Sequence, residues 1–446
     1  MFSKILIANR GEIAVRIIHA CRELGIETVA IYSSADKESL LVQLADEAVC
    51  IGPVQLHDSY LNMRSIFAAC ENTGAQAIHA GCGFLSENSQ FAKMCGACGL
   101  KFIGPSPEAV AMLGDKITAK QTVKNAGVPV VEGSNGAVDS LEEALKIAKK
   151  IGYPVIVKAT AGGGGKGIRV ALNEAELQKA MELAKLEAQA IFNNDGIYIE
   201  KFIENPRHVE IQILGDEFGN VVHLGERDCS VQRKNQKLIE ESPSPVVDEK
   251  LRAQLGQAAV KAAKACGYYN AGTVEFLLDK NDRFYFMEVN TRIQVEHGIT
   301  ELVTGIDLVK SQIKIASGEK LGFSQSDIKL KGHSIECRIN AEVPEKGFMP
   351  SPGKIEGLYI PCGNGIRVDN AIYSGYTVLP YYDSMIAKVM VHAATRQEAI
   401  SKMIVALAEF IVSGIETNID FQLSILRNPD FQKGNIDINF VQRLGY

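Results

Sequence analysis

The amino-terminal quarter of the chain alternates short apolar runs with segments whose apolar residues recur at helical spacing. Runs of strand length occur at residues 5–8, 28–32, 77–79 and 101–103. Between the first two runs, apolar side chains at residues 13, 17, 18 and 21 mark one face of a helix. This alternation predicts a parallel sheet with crossover helices.

A helix, a strand-rich region and a polar stretch organise the rest of the chain. Residues 140–143 read Ser-Leu-Glu-Glu, the pattern of a capping box, and helical spacing follows until Gly152. Residues 267–296 are expected to be mostly strand. The polar residues 321–327 indicate a domain boundary, and the final segment holds two strand-rich runs and a helix over residues 397–412.

Composition and charge exclude several classes of protein. The 446 residues are 46% apolar and 22% charged, which is typical of globular proteins, and a net charge of −6 does not favour a nucleic-acid or membrane partner. The chain lacks an apolar stretch near the roughly 18 residues that span a bilayer, and its first run is too short for a signal peptide. A cytoplasmic location with reduced cysteines is therefore expected, and the single CxxC of Cys95 and Cys98 does not favour zinc.

The segment over residues 155–170 contains four consecutive glycines between two strand-like runs. The segment formally contains the GxGxxG pattern of a dinucleotide-binding loop, but a strand-like run follows it instead of a helix, and the first turn, residues 9–12, lacks the three glycines. Gly after Lys166 excludes a Walker-type phosphate loop. A glycine tip can bring backbone N–H groups against phosphate oxygens and close as a lid, with Lys158 adding positive charge. A flexible surface turn is the alternative.

Two strand-like runs separated by a polar loop, residues 280–283, predict a β-hairpin. If Asp279 pairs with Phe284, then Glu275 lies directly opposite Glu288 on the same face. Opposed carboxylates repel one another, and a divalent cation between them removes the repulsion. Because Mg²⁺ prefers one or two carboxylates together with substrate phosphates, this hairpin is a candidate magnesium site.

The second strand of the hairpin is expected to continue to residue 296, with a polar residue at every even position. The period of two places five polar side chains on one face: Glu288, Asn290, Arg292, Gln294 and Glu296. A solvated strand face would alternate in the same way. Beside paired carboxylates, however, Asn and Arg indicate a metal site that merges with an anion site.

Three further groups gain weight from this setting. His208 and Glu210 alternate with apolar neighbours, residues 233–237 form a basic cluster, and Arg338 lies on the polar face of a strand-like run. In isolation these would be a structural histidine, a solvated loop and an ordinary strand arginine.

Together these residues resemble the ATP-grasp superfamily and, within it, the biotin carboxylases. Four motifs carry the resemblance: residues 83–88 (Gly-Phe-Leu-Ser-Glu-Asn), 205–210 (Asn-Pro-Arg-His-Val-Glu), 226–230 (Glu-Arg-Asp-Cys-Ser) and 290–297 (Asn-Thr-Arg-Ile-Gln-Val-Glu-His). It implies an α/β fold with a doubly wound, Rossmann-like domain, an ATP-grasp domain that includes a mobile lid, and an α+β domain. The implied domain limits are residues 1–113, 114–328, with the lid at about 131–203, and 329–446.

The resemblance also implies a role for each site residue. ATP would be bound by Lys116, Lys158, the backbone of Gly164 and Gly165, Glu200, Lys201, Phe202, Ile203, His208, Gln232 and Asn235, the last of which stands where some members carry His. Two ions of Mg²⁺ or Mn²⁺ would be held by Glu275, Glu288 and Asn290. Bicarbonate would be bound by Lys237, Arg292 and the backbone of Gln294 and Val295, with Glu296 as the general base and Arg338 at the ureido oxygen of biotin.

The implied reaction is carboxylation of biotin by ATP and bicarbonate through carboxyphosphate, the first half-reaction of acetyl-CoA carboxylase in fatty acid synthesis. A base must deprotonate bicarbonate as it attacks the γ-phosphate, cations must neutralise the transferring group, and water must be excluded. A biotin-acceptor Met-Lys segment is not found in the chain, so a biotin carboxyl carrier protein is expected to supply biotin. Carboxyltransferase subunits and a homodimer are the other implied partners.

Three positions depart from the family pattern, and three alternatives remain open. Ala80 and Cys82 replace a usual Pro and Tyr, which affects the expected shape of the biotin pocket, and Gly298 replaces a usual Pro. The alternatives are a component of a propionyl-CoA or pyruvate carboxylase, another ATP-grasp carboxylate ligase, and a nucleotide-binding regulator without turnover. The set of Arg292, Glu296 and Arg338 favours the biotin carboxylases over another ligase, and Glu296 with the two metal carboxylates, Glu275 and Glu288, argues against a regulator.

Overall fold

In the computed structural model, which describes residues 1–160, 168–192 and 194–446, the amino-terminal segment forms a five-stranded parallel sheet. Its strands, in spatial order, are Glu47–Gly52, Glu27–Ser33, Lys4–Ile7, Ala77–His79 and Lys101–Phe102. The helices of this segment are Gly11–Glu23, Leu40–Leu44, Met63–Thr73, Ser89–Ala97 and Pro107–Gly114. The predicted parallel sheet with crossover helices is confirmed.

The central strand of this sheet is buried on both faces. Ile5 and Ile7 pack in one apolar cluster with the helix Gly11–Glu23. Leu6 lies in a second cluster with apolar residues of Met63–Thr73 and Ser89–Ala97. A strand covered on both sides needs apolar residues at every position, which explains the unbroken apolar run in the sequence.

The largest sheet has eight antiparallel strands and joins the middle of the chain to its carboxy-terminal part. In spatial order its strands are Phe284–Asn290, Asn270–Leu278, Arg207–Gly215, Val221–Arg233, Gln236–Ser242, His333–Asn340, Met385–Ala393 and Ile366–Asn370. The fifth strand, Gln236–Ser242, pairs directly with the sixth, His333–Asn340. The sheet is therefore continuous across position 328, the domain limit that the resemblance implies.

A separate three-stranded antiparallel sheet occupies the region expected to be the lid. Its strands are Ile168–Ala171, Val155–Ala159 and Ile197–Lys201, and its helices are Leu141–Ile151 and Glu174–Phe192. Ser140 caps the first helix by accepting a hydrogen bond from the N–H of Glu143 at 3.2 Å, as the sequence pattern predicts. The glycines of the tip, Gly164 and Gly165 among them, lie outside the described residues.

The other helices pack around the large sheet. They are Lys116–Asn125, Glu249–Ala265, His297–Thr304, Leu308–Ala316, Arg396–Glu409, Ile419–Arg427, Pro429–Lys433 and Phe440–Arg443. Three short strand pairs complete the fold: Glu342–Val343 with Met349–Pro350, Gly353–Lys354 with Thr377–Val378, and Gly357–Tyr359 with Ile411–Ser413. The predicted helix over residues 397–412 thus ends at Glu409, because the β-branched residues that follow pair as a strand.

The thiols and the helices agree with the expectations from composition. All ten cysteines are free thiols; Cys95 is buried and Cys98 is exposed. Among the described residues, every helix is too short or too polar to cross a lipid bilayer.

The loop of the carboxylate hairpin is one residue longer than predicted. Leu278, rather than Asp279, pairs with Phe284. The carboxylate of Asp279 instead accepts hydrogen bonds from the backbone N–H groups of Asn281 and Arg283 at 2.8 and 3.1 Å. An Asp side chain that binds the backbone ahead of it favours a turn, which removes Asp279 from the strand.

A β-bulge then restores the predicted opposition of the two carboxylates. Phe276 pairs with Phe286, the next pair is Glu275 with Glu288, and Met287 is the extra residue. The off-by-one register near the loop and the bulge cancel each other. Glu275 and Glu288 therefore face each other, although the predicted pairing at the loop was wrong.

The strand after the bulge ends earlier than the polar alternation predicts. Asn290, paired with Thr273, is its last residue, and Glu296 lies at the amino-terminal cap of the next helix. The N–H of Thr291 donates to the carboxylate of Glu87 at 3.0 Å instead of to a neighbouring strand. The prediction that the strand continues to residue 296 was therefore wrong, because the carboxylate of Glu87, in the amino-terminal segment, binds the backbone N–H that follows the strand.

Candidate active site

A cavity of about 790 Å³ lies where the amino-terminal sheet, the large sheet and the three-stranded sheet meet. Thirteen of the predicted site residues line it: Lys116, Lys158, His208, Gln232, Asn235, Lys237, Glu275, Glu288, Asn290, Arg292, Gln294, Val295 and Arg338. Two sets of predicted residues do not line it: Glu296, which is fully buried, and Glu200, Lys201, Phe202 and Ile203.

Lys237 is the centre of the charged cluster on the cavity wall. Its ammonium lies 2.5 Å from Glu210, 3.0 Å from Glu275 and 2.6 Å from Glu296. Arg227, fully buried behind the cluster, donates to the other oxygen of Glu210 at 2.5 Å. Buried charges are stable when they are paired and hydrogen-bonded in this way.

Arg338 bridges two buried carboxylates. Its guanidinium donates to Glu240 at 2.6 Å and to Glu296 at 3.0 Å. Burial opposes ionisation of Glu296, but the cations of Lys237 and Arg338 outweigh burial and hold its pKa well below the usual value. Burial raises the pKa of Glu240 to about 7, with the charge of Glu296 acting in the same direction. Glu296 is thus ionised and Arg338 is fixed at the edge of the cavity.

Arg292 is held by groups from two parts of the chain. Its guanidinium donates to Glu87 at 3.0 Å, to Gln294 at 2.8 Å and to Asn290 at 2.9 Å. The last two contacts join even positions of the sequence pattern, although the strand has already ended at Asn290. The side chain therefore presents a fixed cation to the cavity, close to the carboxylate hairpin.

The two opposed carboxylates of the hairpin have different surroundings. Glu275 is surrounded by donors: His208 and Lys237 lie 3.0 Å away, and the amides of Asn290 and Gln294 donate at 2.8 and 3.1 Å. These partners outweigh the effect of burial and lower the pKa of Glu275.

The side-chain carboxylate of Glu288 has neither a hydrogen bond nor an ion pair with the described residues. Burial, reinforced by the charge of Glu275, raises its pKa. A carboxylate that is under-compensated, faces a second carboxylate and opens to the cavity has the donor chemistry that a hard divalent cation requires. The residues present therefore fit Mg²⁺ or Mn²⁺.

A second group of potential metal ligands is already neutralised. His208, Glu210 and Glu275 bring ligand atoms within 4.8 Å of one another. The ammonium of Lys237 contacts both carboxylates of this group, so the protein supplies its own cation there.

The predicted nucleotide residues divide into those at the cavity and those behind it. Lys158 lines the cavity and pairs with the carboxylate of Glu200 at 2.7 Å, and Lys120 pairs with its other oxygen at 2.5 Å. Lys201 turns away and donates to the backbone carbonyl groups of Gly152 and Tyr153. Glu200 therefore acts in this structure as an anchor for two lysines.

Asn235 owes its position to a tight turn. Lys234 and Asn235 connect two strands of the large sheet and have φ angles of 48° and 64°. Two consecutive residues with positive φ form the turn type that suits a β-hairpin, and Asn tolerates this conformation better than most residues. The turn places Gln232 and Lys237 on the cavity wall.

Several residues at the site were missed as site residues by the sequence analysis. They are Glu87, Lys120, Arg227, Glu240 and Lys388. Glu87 and Arg227 lie within motifs that carry the family resemblance, which was an available signal. Lys388 interrupts an otherwise apolar strand, Met385–Ala393, and an isolated charge in such a run was also a usable signal.

The departures from the family pattern lie near the cavity. Cys82 lines it, and the carbonyl groups of Ala80 and Cys82 both accept hydrogen bonds from the side-chain amide of Asn9, at 2.7 and 2.8 Å. A β-carbon on Gly298 would lie 2.2 Å from the sulfur of Met390. In this chain the buried methionine occupies the space that a larger residue at position 298 would need.

Three family models match consecutive parts of the chain. Residues 1–110 match "Biotin carboxylase, N-terminal domain", residues 115–324 match "Carbamoyl-phosphate synthase L chain, ATP binding domain", and residues 336–443 match "Biotin carboxylase C-terminal domain".

Known proteins are similar over almost the whole chain. Biotin carboxylase 1 of Bacillus subtilis is 58% identical over 99% of the chain and 98% of its own length. One of the pyruvate carboxylase subunits of Methanothermobacter thermautotrophicus is 54% identical over 99% of the chain and 90% of its own length. The crystal structure of the biotin carboxylase domain dimer of Hydrogenobacter thermophilus 2-oxoglutarate carboxylase, in complex with MgADP, ADP and bicarbonate, superimposes with a TM-score of 0.95, at 51% identity, and covers 100% of the chain and 98% of that chain.

Proposed function

The chain belongs to the biotin carboxylase family, and from this premise we propose that it performs the first half-reaction of an acetyl-CoA carboxylase. It is an ATP-dependent ligase that uses Mg²⁺ and bicarbonate to carboxylate biotin. One observation supports the proposed assignment of roles above all others: the buried Glu296 lies between Lys237 and Arg338, both of which line a large cavity.

In the proposed site, the phosphates of ATP contact Lys116, Lys158 and His208; the role expected for Gly164 and Gly165 falls outside the described residues. Glu275, Glu288 and Asn290 hold the metal. Bound there, Mg²⁺ would neutralise charge on the phosphoryl group.

Bicarbonate is proposed to lie against Arg292, Lys237 and the backbone of Gln294 and Val295. As an oxygen of bicarbonate attacks the γ-phosphorus and ADP leaves, Glu296 takes the proton from bicarbonate. For Glu296 to act as a base, its hold on Lys237 must weaken. An anion beside Lys237 shares that cation and thereby raises the proton affinity of Glu296.

Arg338 is proposed to act on biotin. Carboxyphosphate breaks down to CO₂ and phosphate, and phosphate removes the ureido N–H proton of biotin. The ureido oxygen then carries negative charge, which the guanidinium of Arg338 stabilises while the nitrogen attacks CO₂. Because Arg338 donates hydrogen bonds to both Glu240 and Glu296, its position is set before biotin binds.

The proposed partners follow from the reaction. Biotin comes on a biotin carboxyl carrier protein, and carboxyltransferase subunits pass the carboxyl group to acetyl-CoA. The proposed assembly contains a homodimer of this chain, and the relative from Hydrogenobacter is described as a dimer.

A second candidate is the same half-reaction in a different carboxylase, one that acts on pyruvate or 2-oxoglutarate. The observation that favours it is the similarity to subunits of such enzymes at 54% and 51% identity. The acetyl-CoA assignment has the support of the higher identity to the Bacillus biotin carboxylase.

The first test is ADP release by the purified chain with MgATP and bicarbonate, with and without free biotin. We expect biotin to stimulate release, and Arg338→Ala to reduce the biotin-stimulated rate by about 100-fold or more, because it removes a preorganised donor at the developing oxyanion. The Arg338→Ala protein should keep its KM for MgATP, since Arg338 contacts carboxylates rather than the nucleotide residues. Release that biotin does not change would overturn the proposal.

The acceptor is then identified by reconstitution with the biotinylated carrier protein and carboxyltransferase subunits encoded by the same genome. Malonyl-CoA formation from acetyl-CoA supports the proposal. Carboxylation of pyruvate or 2-oxoglutarate, without carboxylation of acetyl-CoA, would establish the second candidate instead.

A further inference from the structure

Lys388 is a fully buried lysine at the back of the active-site cavity. It lies in the middle of the strand Met385–Ala393, and none of its side chain is exposed. Its ammonium donates to the backbone carbonyl of Val295 at 2.6 Å and lies 3.3 Å from Glu12 and 3.9 Å from Asp369. The roles proposed above do not include this residue.

The three partners of Lys388 belong to three different parts of the molecule. Glu12 begins the first helix of the amino-terminal segment, Val295 lies in the loop after the carboxylate hairpin, and Asp369 lies in the edge strand of the large sheet. A buried ammonium is costly unless it is paired, and the carboxylates of Glu12 and Asp369 supply that pairing. Burial opposes the charge, but the carboxylates of Glu12, Glu336 and Asp369 outweigh it and raise the pKa of Lys388, so the side chain stays a cation.

The loop that contains Val295 depends on side chains for its conformation. The strand before it ends at Asn290, and the N–H of Thr291 binds Glu87. Within the loop, the carbonyl of Ile293 accepts from Arg292 at 3.3 Å and the carbonyl of Gln294 contacts the ring of His297 at 2.7 Å. The carbonyl of Val295 is held by Lys388 in the same way.

The carbonyl of Val295 belongs to the peptide unit that joins Val295 to Glu296. Because a peptide unit is planar, fixing its oxygen fixes the direction from which the backbone enters Glu296 and leaves Val295. The contact therefore fixes the orientation of the Glu296 N–H, which lies in the same peptide unit, and restrains, through the rotatable bonds on either side, the Val295 N–H and the Glu296 side chain. These are a backbone donor and the base proposed for bicarbonate.

We propose that Lys388 is a positioning residue for bicarbonate, which acts by clamping the peptide unit between Val295 and Glu296. This inference rests on the proposed function, because it assumes that bicarbonate lies against this loop. Lys388 does not touch the reacting atoms; it acts through the loop. It also connects the amino-terminal segment, through Glu12, to the geometry of the anion site.

The test compares Lys388→Met with a matched control, Lys402→Met. Methionine keeps an unbranched chain of similar length but has no charge and no donor. Lys402 also donates to two backbone carbonyl groups: that of His392, near the end of the same strand, at 2.7 Å, and that of Asn364, just before the neighbouring edge strand, at 3.0 Å. Each substitution thus removes an ammonium that donates to a backbone carbonyl, but only the carbonyl bound by Lys388 lies at the proposed anion site.

KM values for bicarbonate and for MgATP are measured separately by ADP release, in buffers freed of dissolved CO₂. We expect Lys388→Met to raise the KM for bicarbonate by about tenfold or more, the size of a lost hydrogen bond to a charged group. The KM for MgATP should change by less than about twofold, because the partners of Lys388 among the described residues, Val295, Glu12 and Asp369, are not nucleotide residues. Lys402→Met should leave both values unchanged.

Loss of the buried cation also leaves Glu12 uncompensated, so the double variant Lys388→Met/Glu12→Gln serves as the second protein. It removes the unpaired carboxylate and tests the same peptide clamp. A bicarbonate-specific rise in KM in either folded variant supports the proposal. Equal changes in both KM values, or failure of both variants to fold, would assign Lys388 to the scaffold and overturn it.

The outcome is separable from a failure of the proposed function. If the unsubstituted protein releases ADP without dependence on bicarbonate and biotin, the proposed function itself fails. If that dependence is present and Lys388→Met behaves like Lys402→Met, the proposed function stands and the positioning role of Lys388 falls.

Discussion

At the scale of single residues, the cationic and anionic side chains of the site already compensate one another's charge before any substrate binds. Lys237 is shared among three buried carboxylates, and Arg338 between two. Removing one member of such a network leaves its partners charged and unpaired, which costs about 3–5 kcal/mol for a buried pair. Substrates must therefore replace existing ion pairs of Lys237 and Arg338, because these cations already have partners. Glu288, which has no partner among the described residues, is the exception.

We predict that Glu288→Gln stabilises the protein when metal is absent. The substitution removes one of two opposed carboxylates, and relief of their repulsion should raise the free energy of unfolding by about 1 kcal/mol. The same substitution should weaken binding of MgATP, since a proposed metal ligand is lost. Thermal unfolding in EDTA measures the first effect, and the KM for MgATP measures the second.

Glu275→Gln, on the facing strand, is the matched control for this prediction. It should destabilise the protein, because His208 and Lys237 would lose a charged partner. A lower melting temperature for Glu288→Gln than for the unsubstituted protein would contradict the account of an under-compensated carboxylate.

At the scale of elements, the sequence predicts strands well where burial alone decides them. The predicted runs 77–79 and 101–103 agree with the observed Ala77–His79 and Lys101–Phe102 to within a residue, because both faces of that sheet are apolar. The early end at Asn290 was not predictable from alternation. It depends on Glu87, a residue 204 positions away from Thr291.

In the candidate site, too, some features follow from the local sequence pattern and others depend on distant residues. The sequence pattern groups Asn290, Arg292 and Gln294, and these side chains do meet, but through hydrogen bonds of Arg292 in a loop rather than on a shared strand face. The pattern does not report which partner meets a face from elsewhere. The Arg338–Glu240 and Lys388–Val295 contacts join residues 98 and 93 positions apart. Sheet pairing creates the first, and the approach of a loop to the strand Met385–Ala393 creates the second.

We predict that Gly298 and Met390 are energetically coupled across the helix–strand contact. Gly298→Ala should reduce the free energy of unfolding by about 1–3 kcal/mol, because the new β-carbon would overlap the sulfur of Met390. Met390→Ala removes that obstacle at the cost of a cavity. The double variant should therefore lose less stability than the sum of the two single variants.

A double-mutant cycle from urea unfolding measures this coupling. Additive losses would show that Met390 moves aside freely. The comparison uses the departure at Gly298 as a probe of local packing.

At the scale of the whole molecule, two buried histidines link stability to pH. Burial lowers the pKa of His79 to about 4 and lowers that of His297 well below its usual value. As the pH falls below about 6.5, the unfolded chain binds protons at these positions while the folded chain does not. The stability they support is therefore complete at neutral pH and decreases on acidification, until the pH reaches the folded pKa.

We predict that His79→Gln flattens the acid side of the stability profile. Between pH 7.5 and pH 5, His79 should lower the free energy of unfolding of the unsubstituted protein by about 2 kcal/mol, and this loss should be absent from His79→Gln. Denaturant unfolding at the two pH values measures the difference. His57→Gln is the control, because the side chain of His57 is 80% exposed. Identical pH dependence for His79→Gln and the unsubstituted protein would refute the prediction.

The continuous eight-stranded sheet also dictates when, during synthesis, the enzyme can become active. Glu240 and the strand that carries it are made early, but Arg338 and the strand pairing with it emerge from the ribosome about a hundred residues later. Until then the nascent chain has a nucleotide region without the arginine proposed for biotin. Lys388 follows later still, so the anion loop is fixed last. A nascent chain that ends before residue 338 thus has phosphate-binding residues but an unfinished carboxylation site.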